Sequence, residues 1–91
     1  MVEKITHYEF SSRFRKDYKI LPAEIRDTFD AKLSLFLENP RHPSLRVKRL
    51  VGTFDRWEGS VTKNYRFTFR IAEGKALFRR IGTHDILRIE G

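Results

Sequence analysis

The stretch Tyr65-Arg66-Phe67-Thr68-Phe69-Arg70-Ile71 (residues 65–71) alternates bulky apolar side chains with arginine and threonine at every position. Successive side chains of a strand point to opposite faces, so a period of two predicts a strand with one apolar and one cationic face. Glu73-Gly74 then offers a turn into a returning strand over Lys75 to Ile81. Upstream, Trp57, Gly59 and Val61 alternate with Glu58, Ser60 and Thr62, and Leu45 and Val47 with Arg46 and Lys48. The chain beyond Pro43 therefore reads as sheet. Before it the period is helical. Phe10, Phe14, Tyr18 and Leu21 recur at four-, four- and three-residue steps. Ser11 or Ser12 caps that pattern, which predicts a helix over about residues 11–20. Pro22 stops it and suits the first turn of a second helix, whose stripe of Ile25, Phe29, Leu33, Phe36 and Leu37 runs to Asn39-Pro40. An extended start at Lys4 to Tyr8 adds an edge strand. Glu38 to Ser44 and Gly52 to Arg56 are the longest irregular stretches. Helices and strands are segregated along the chain, which predicts an α+β fold with the helical hairpin on the aromatic face of a mainly antiparallel sheet. The other face is left open and basic.

Residues 1–91 read as one domain, because a chain of 91 residues buries only about 60–65% of its unfolded surface and cannot divide its core. Eight Phe, three Tyr and one Trp supply that core. With no cysteine there is no disulfide framework, thiolate zinc site or cysteine nucleophile. No apolar run reaches the roughly 20 residues that cross a bilayer. The N-terminus also lacks a signal-peptide pattern, which makes the cytoplasm the default location and excludes a membrane partner. The net charge of +7 lies wholly in residues 41–91, where twelve basic side chains face five acidic ones. Such a bias is the footprint of a polyanion, most often nucleic acid, although an acidic protein surface would satisfy it too. Those carboxylates, at positions 55, 58, 73, 85 and 90, are too scattered for a two-metal nuclease. Histidines at 7, 42 and 84 show no zinc-ligand spacing, and isolated glycines make no phosphate loop.

The helical hairpin is followed by Asn39-Pro40-Arg41-His42-Pro43-Ser44-Leu45, Lys48-Arg49-Leu50-Val51-Gly52, Trp57-Glu58, Asn64-Tyr65-Arg66-Phe67 and Gly82-Thr83-His84-Asp85. In order and spacing, over nearly the whole chain, this resembles the RelE/ParE toxin superfamily of bacterial toxin–antitoxin modules. The Gly-Thr-His run is most similar to the YafQ-like and RelE-like mRNA interferases and less so to the ParE gyrase poisons. The resemblance implies a β-α-α-β-β-β fold of the microbial-ribonuclease type. It also implies cofactor-free and metal-free cutting of mRNA in the ribosomal A site, and an acidic antitoxin through which operator DNA is reached. A ParE-like gyrase inhibitor, or a non-catalytic member of an antitoxin and operator complex, are the competing implications.

A metal-free ribonuclease needs a base for the ribose 2′-hydroxyl, an acid for the leaving 5′-oxygen and cations around the phosphate. His84, with an ordinary pKa of about 6.5, serves as either acid or base, and neighbouring arginines favour its neutral form. A turn histidine bonded only to its own loop is the plain alternative. Arg66 points outward, and its planar fork matches a phosphate bidentately. Glu58 or Asp85 supplies the second proton-transfer group. Arg46, Lys48 and Arg70 are expected on one face as backbone-phosphate contacts, joined by Lys63, Arg80 and the loop residue His42. Trp57 and Tyr65 alternate with the apolar set and are better read as core than as base-stacking platforms. RelE-like toxins often carry a further basic or tyrosine residue after the last strand, sometimes on a helix. Here Ile86-Leu87-Arg88-Ile89-Glu90-Gly91 fits no helix and holds no tyrosine, so the catalytic set rests on His84 and Arg66 with Glu58 or Asp85.

Overall fold

The computed structural model describes residues 5–52 and 55–86. Strand β1 (His7–Phe10) leads into helix α1 (Ser12–Lys19) and helix α2 (Ala23–Glu38). A 3-10 turn (Pro43–Leu45) and the strands β2 (Lys48–Arg49), β3 (Arg56–Ser60), β4 (Tyr65–Ala72) and β5 (Lys75–Thr83) follow. The sheet order is β1-β5-β4-β3-β2. β1 runs parallel to β5 and every other neighbouring pair is antiparallel. The α+β architecture and the helical hairpin match the expectation from sequence. The parallel edge follows from the connection, because the chain leaves β1, crosses one face as two helices and returns from the far side.

Local chemistry sets the element ends. Ser11 is the N-cap of α1, its Oγ accepting the Phe14 N–H at 3.0 Å. The same hydroxyl donates to the Arg79 carbonyl at 2.9 Å, tying the helix start to β5. Pro22 is the cap before α2, one place short of the first turn expected for it, and its carbonyl receives the Ile25 and Arg26 N–H groups. Glu73 (φ 52°) and Gly74 (φ 78°) both lie in the left-handed region, as a two-residue hairpin between twisted strands requires.

Three expectations are corrected. The edge strand spans His7–Phe10, not Lys4 to Tyr8, and Lys4 lies outside the described residues. Phe10, read as the first step of a helical stripe, belongs to β1. It reaches the same core from there, stacking on Phe14 with 4.9 Å between ring centroids. Leu45 to Val47 is not a strand, and only Lys48 of that alternation enters β2. Pro43 has no N–H to give a ladder, the His42 ring takes the Ser44 N–H, and Arg46 adopts φ 50°, ψ 44°. The alternation there records only that Leu45 is buried and Val47 half-buried in a loop. No helix is expected over Ile86 to Gly91, yet Ile86 is helical; residues 87–91 lie outside the described residues, as do 53 and 54 of the second irregular stretch.

The apolar side of β4 is covered by the hairpin. Phe29 meets Phe67 edge-on at 5.5 Å and Phe36 meets Phe69 at 4.9 Å, with Phe78 of β5 touching all four rings. Each fully buried aromatic contributes about 1.5–3 kcal/mol by leaving water. The Phe67 ring lies directly over Gly59, its register partner on β3, and fills the space that a Cβ would occupy. Gly59→Ala is therefore expected to cost about 1–3 kcal/mol by forcing that ring aside. Urea unfolding reads this, and an unchanged midpoint would show that the ring relaxes freely.

Across the two helices the Tyr18 hydroxyl donates to Asp30 Oδ1 at 2.8 Å. Burial, aided by that bond and the Asp30 charge, raises the Tyr18 hydroxyl above its ordinary pKa of 10.0. The folded chain thus holds this proton more tightly than the unfolded one. The resulting stability is complete below pH 10 and is lost as the pH climbs through the raised folded value. Thermal melts are expected to show that alkaline decline in the parent and less of it in Tyr18→Phe.

Candidate functional site

The face of the sheet turned away from the helices collects polar side chains from three strands. Register partners share a face, so Lys48, Glu58 and Thr68 form one row across β2, β3 and β4. Ser60, Arg66 and Gly82 form a second across β3, β4 and β5, and Arg56 with Arg70 begins a third. Thr68 is fully buried and Glu58 only 6% exposed. The Glu58 carboxylate is therefore part of the floor of this face.

Arg66 is the distinctive group. Its Nε is buried and has no hydrogen-bond partner, the sole such side-chain atom among the described residues, and its guanidinium enters no ion pair there. Buried donors are ordinarily satisfied, so a half-buried guanidinium that no carboxylate of the described residues claims keeps its fork of donors available. Beside it Gly82 brings no side chain, and β5 ends one residue later. Ile86, 6% exposed, folds back against Gly82, where a Cβ would come within 3.1 Å of its Cγ2. That contact closes the Thr83–Asp85 turn. At about 3.3 Å per residue, the His84 backbone stays within about 7 Å of Gly82. His84 and Asp85 are both exposed on this rim.

The remaining expected residues divide. Lys48 is exposed in the Glu58 row, and Lys63 is exposed in the loop between β3 and β4. Arg70 shares the face but its Nε meets Asp55 Oδ2 at 3.0 Å. Arg80 stands in register with Thr68, yet its guanidinium turns to the sheet edge and binds Asp17 of α1, Nε to Oδ2 at 2.7 Å and Nη2 to Oδ1 at 3.4 Å. Asp17 also accepts the Ile81 N–H at 3.2 Å. β1 stops opposite Phe78, so this carboxylate caps the edge of β5 beyond the end of its pairing with β1.

Arg46 does not share the face, contrary to the expectation that put it with Lys48 and Arg70. Its left-handed backbone carries it out of the ladder, into a cleft of about 340 Å³ with Arg41, His42, Pro43 and Trp57. Trp57 and Glu58 are neighbours on β3, so the cleft opens on the other side of that strand. Trp57 packs against the core as expected but also forms part of this wall, and the Arg49 guanidinium lies 5.7 Å above its ring. Sequence reasoning missed Asp17, Arg41 and Arg49. The i, i+4 step from Arg13 to Asp17 gave no hint of a partner 63 residues away. The Arg49 pairing was accessible only through the register of β2 on β3.

No protein-family model matches the chain, and no curated protein does. Solved structures do match. The chain superposes on YafQ from Escherichia coli strain BL21(DE3) with a TM-score of 0.71 at 20% identity, covering 88% of this chain and 94% of that one. On the RelB–RelE antitoxin–toxin complex of Methanococcus jannaschii the TM-score is 0.71 at 20% identity, with 87% and 93% covered. On the YoeB/ParE toxin of Agrobacterium tumefaciens it is 0.75 at 14% identity, with 87% and 99% covered. Two helices on a mixed five-stranded sheet are therefore the fold shared with these toxins.

Proposed function

We propose that this protein, which carries the fold of the RelE/ParE toxins, is the toxin of a bacterial toxin–antitoxin pair and cuts mRNA on the ribosome. The observation that carries the reading is the unclaimed Arg66 guanidinium, set between the Glu58 floor and the Gly-Thr-His turn. Arg66 holds the scissile phosphate through its fork, where charge grows as the phosphorus becomes pentacoordinate. One of Glu58 and His84 removes the 2′-hydroxyl proton as the 2′-oxygen attacks phosphorus. The other gives a proton to the departing 5′-oxygen, leaving a 2′,3′-cyclic phosphate. Asp85 stands next to the imidazole and supports it. Lys48, Lys63 and, once released from Asp55, Arg70 hold the neighbouring phosphates. The ribosome completes this sparse site by fixing the mRNA in line, a contribution that positioning alone makes large.

An acidic antitoxin is the expected partner, as RelB is for the M. jannaschii RelE. Between α1 and α2 a groove of about 410 Å³, walled by Phe10, Phe14, Tyr18, Phe29 and Leu33 and lined also by Arg15, Lys19 and the Tyr18-bonded Asp30, suits an amphipathic antitoxin helix whose acidic edge meets the two cations. Operator DNA is then reached through the antitoxin.

Purified protein added to a coupled translation reaction is expected to produce mRNA ends within A-site codons. Intact mRNA together with loss of gyrase supercoiling would favour the ParE-like reading, to which the A. tumefaciens likeness also points. Intact mRNA and unimpaired gyrase would leave a non-catalytic complex component.

A further inference from the structure

We propose that the cleft on the far side of β3 from Glu58 is a second RNA site, which binds one unpaired nucleotide with its base against Trp57 and its phosphate on Arg41 and Arg46. Its volume of about 340 Å³ falls in the range of small-molecule pockets. Trp57, Pro40 and Pro43 give an apolar wall, Arg41 and Arg46 bring two guanidinium groups, and among the described residues none that lines it is acidic. A flat apolar wall beside uncompensated cations is the arrangement that accepts a nucleotide of single-stranded nucleic acid.

The donors are also preset. The Ser44 N–H, which can only donate, points at His42 Nδ1 at 3.2 Å, and the Ser44 hydroxyl lies 2.9 Å from the same nitrogen. Nδ1 is therefore an acceptor, and the ring proton sits on Nε2, the remaining donor of this cleft-lining histidine. The loop is fastened at both ends. Asn39 Oδ1 accepts the Arg41 N–H at 3.1 Å, and Lys32 of α2 donates to the Ser44 carbonyl at 2.9 Å. Arg46 keeps φ 50°, ψ 44°, a conformation that favours glycine. A strained arginine whose side chain enters a cleft points to a role for that side chain.

The choice of RNA, over another phosphate-bearing ligand, rests on the ribonuclease reading above. The cleft itself does not. A strand occupying both sites passes the short β2 edge, so the cleft would grip mRNA away from the cut.

Trp57 is the sole tryptophan of the chain and reports on the cleft directly. A short single-stranded oligoriboadenylate is expected to change its fluorescence saturably, and adenosine, lacking phosphate, to do so far more weakly. Arg41→Ala and Arg46→Gly should each weaken the oligonucleotide about tenfold or more, the value of a charge-assisted bond. Each should also reduce the salt slope by about 0.7, one phosphate contact on a single strand. Arg46→Gly relieves the left-handed backbone, so its circular dichroism melt should not fall, which separates lost binding from lost folding. A fluorescence response that is absent, or equal for adenosine, or indifferent to both arginine variants, overturns the assignment. If A-site cutting fails while this response stands, the ribonuclease reading falls and the nucleotide cleft remains. If cutting occurs without the response, only the cleft falls.

Discussion

His84→Ala is expected to slow mRNA cutting on translating ribosomes by about 10²–10⁴-fold, the range for loss of a positioned proton-transfer group. Arg66→Ala should lose about 10²–10³-fold, as when one transition-state donor is removed. Arg66→Lys keeps the charge but not the fork and should recover only part of that loss. The two alanine variants combined should fall short of the product of their separate effects, because the groups act on one phosphate. Neither loss should come through unfolding. Arg66 makes no ion pair among the described residues and His84 is exposed, so both variants should melt near the parent. Rates are read from primer extension on the cut message and folding from circular dichroism. Unchanged cutting in both variants would remove the ribonuclease assignment.

Asp17→Asn is expected to cost about 3 kcal/mol or more of stability, the usual loss when one partner of a buried ion pair is removed. Asp17 is 8% exposed and, from α1, serves three donors of β5, Arg80 Nε and Nη2 and the Ile81 N–H. An amide in its place leaves the Arg80 cation uncompensated in a site where its side chain is 11% exposed. Pairing the change with Arg80→Met should restore part of the loss, since an apolar replacement for the whole pair carries no stranded charge. Arg13 offers the contrast. Its Nε reaches Asp17 at 3.6 Å from a side chain 63% exposed, so Arg13→Ala should change stability by less than about 1 kcal/mol. Urea denaturation of the single and double variants decides the matter. If Asp17→Asn is as mild as Arg13→Ala, the carboxylate does not pin α1 to β5, and Arg80 returns to the set of cations free to hold RNA.

The same pair shows where sequence reasoning reaches its limit. Strand alternation places Arg80 among the phosphate contacts because it gives the side of the sheet from which a side chain departs. It does not give the destination of a long flexible side chain. Arg70 repeats the lesson, leaving from the expected face and bending to Asp55. Arg46 fails for another reason. Four residues of alternation beside Pro43 satisfied the pattern of a strand, while proline, a histidine cap and a left-handed residue made a turn. Short alternations next to proline carry little information about pairing. Glu58 keeps its expected face, but its near-complete burial depended on what stood beside it.

Periodicity, breakers and caps are local, and they were enough to determine the two helices, the long hairpin of β4 and β5, the aromatic core and the placement of Arg66 on the open face. The charge count likewise determined that the positive potential lies in the second half of the chain. The tertiary structure alone decided that β1 joins β5 in parallel, that Asp17 takes Arg80 out of the cationic face, that no carboxylate of the described residues claims Arg66, and that Arg41, His42, Arg46 and Trp57 share a separate cleft. These are contacts between residues far apart in sequence. They depend on register and on competition among neighbouring charges, which exist only once the sheet has closed against its helices.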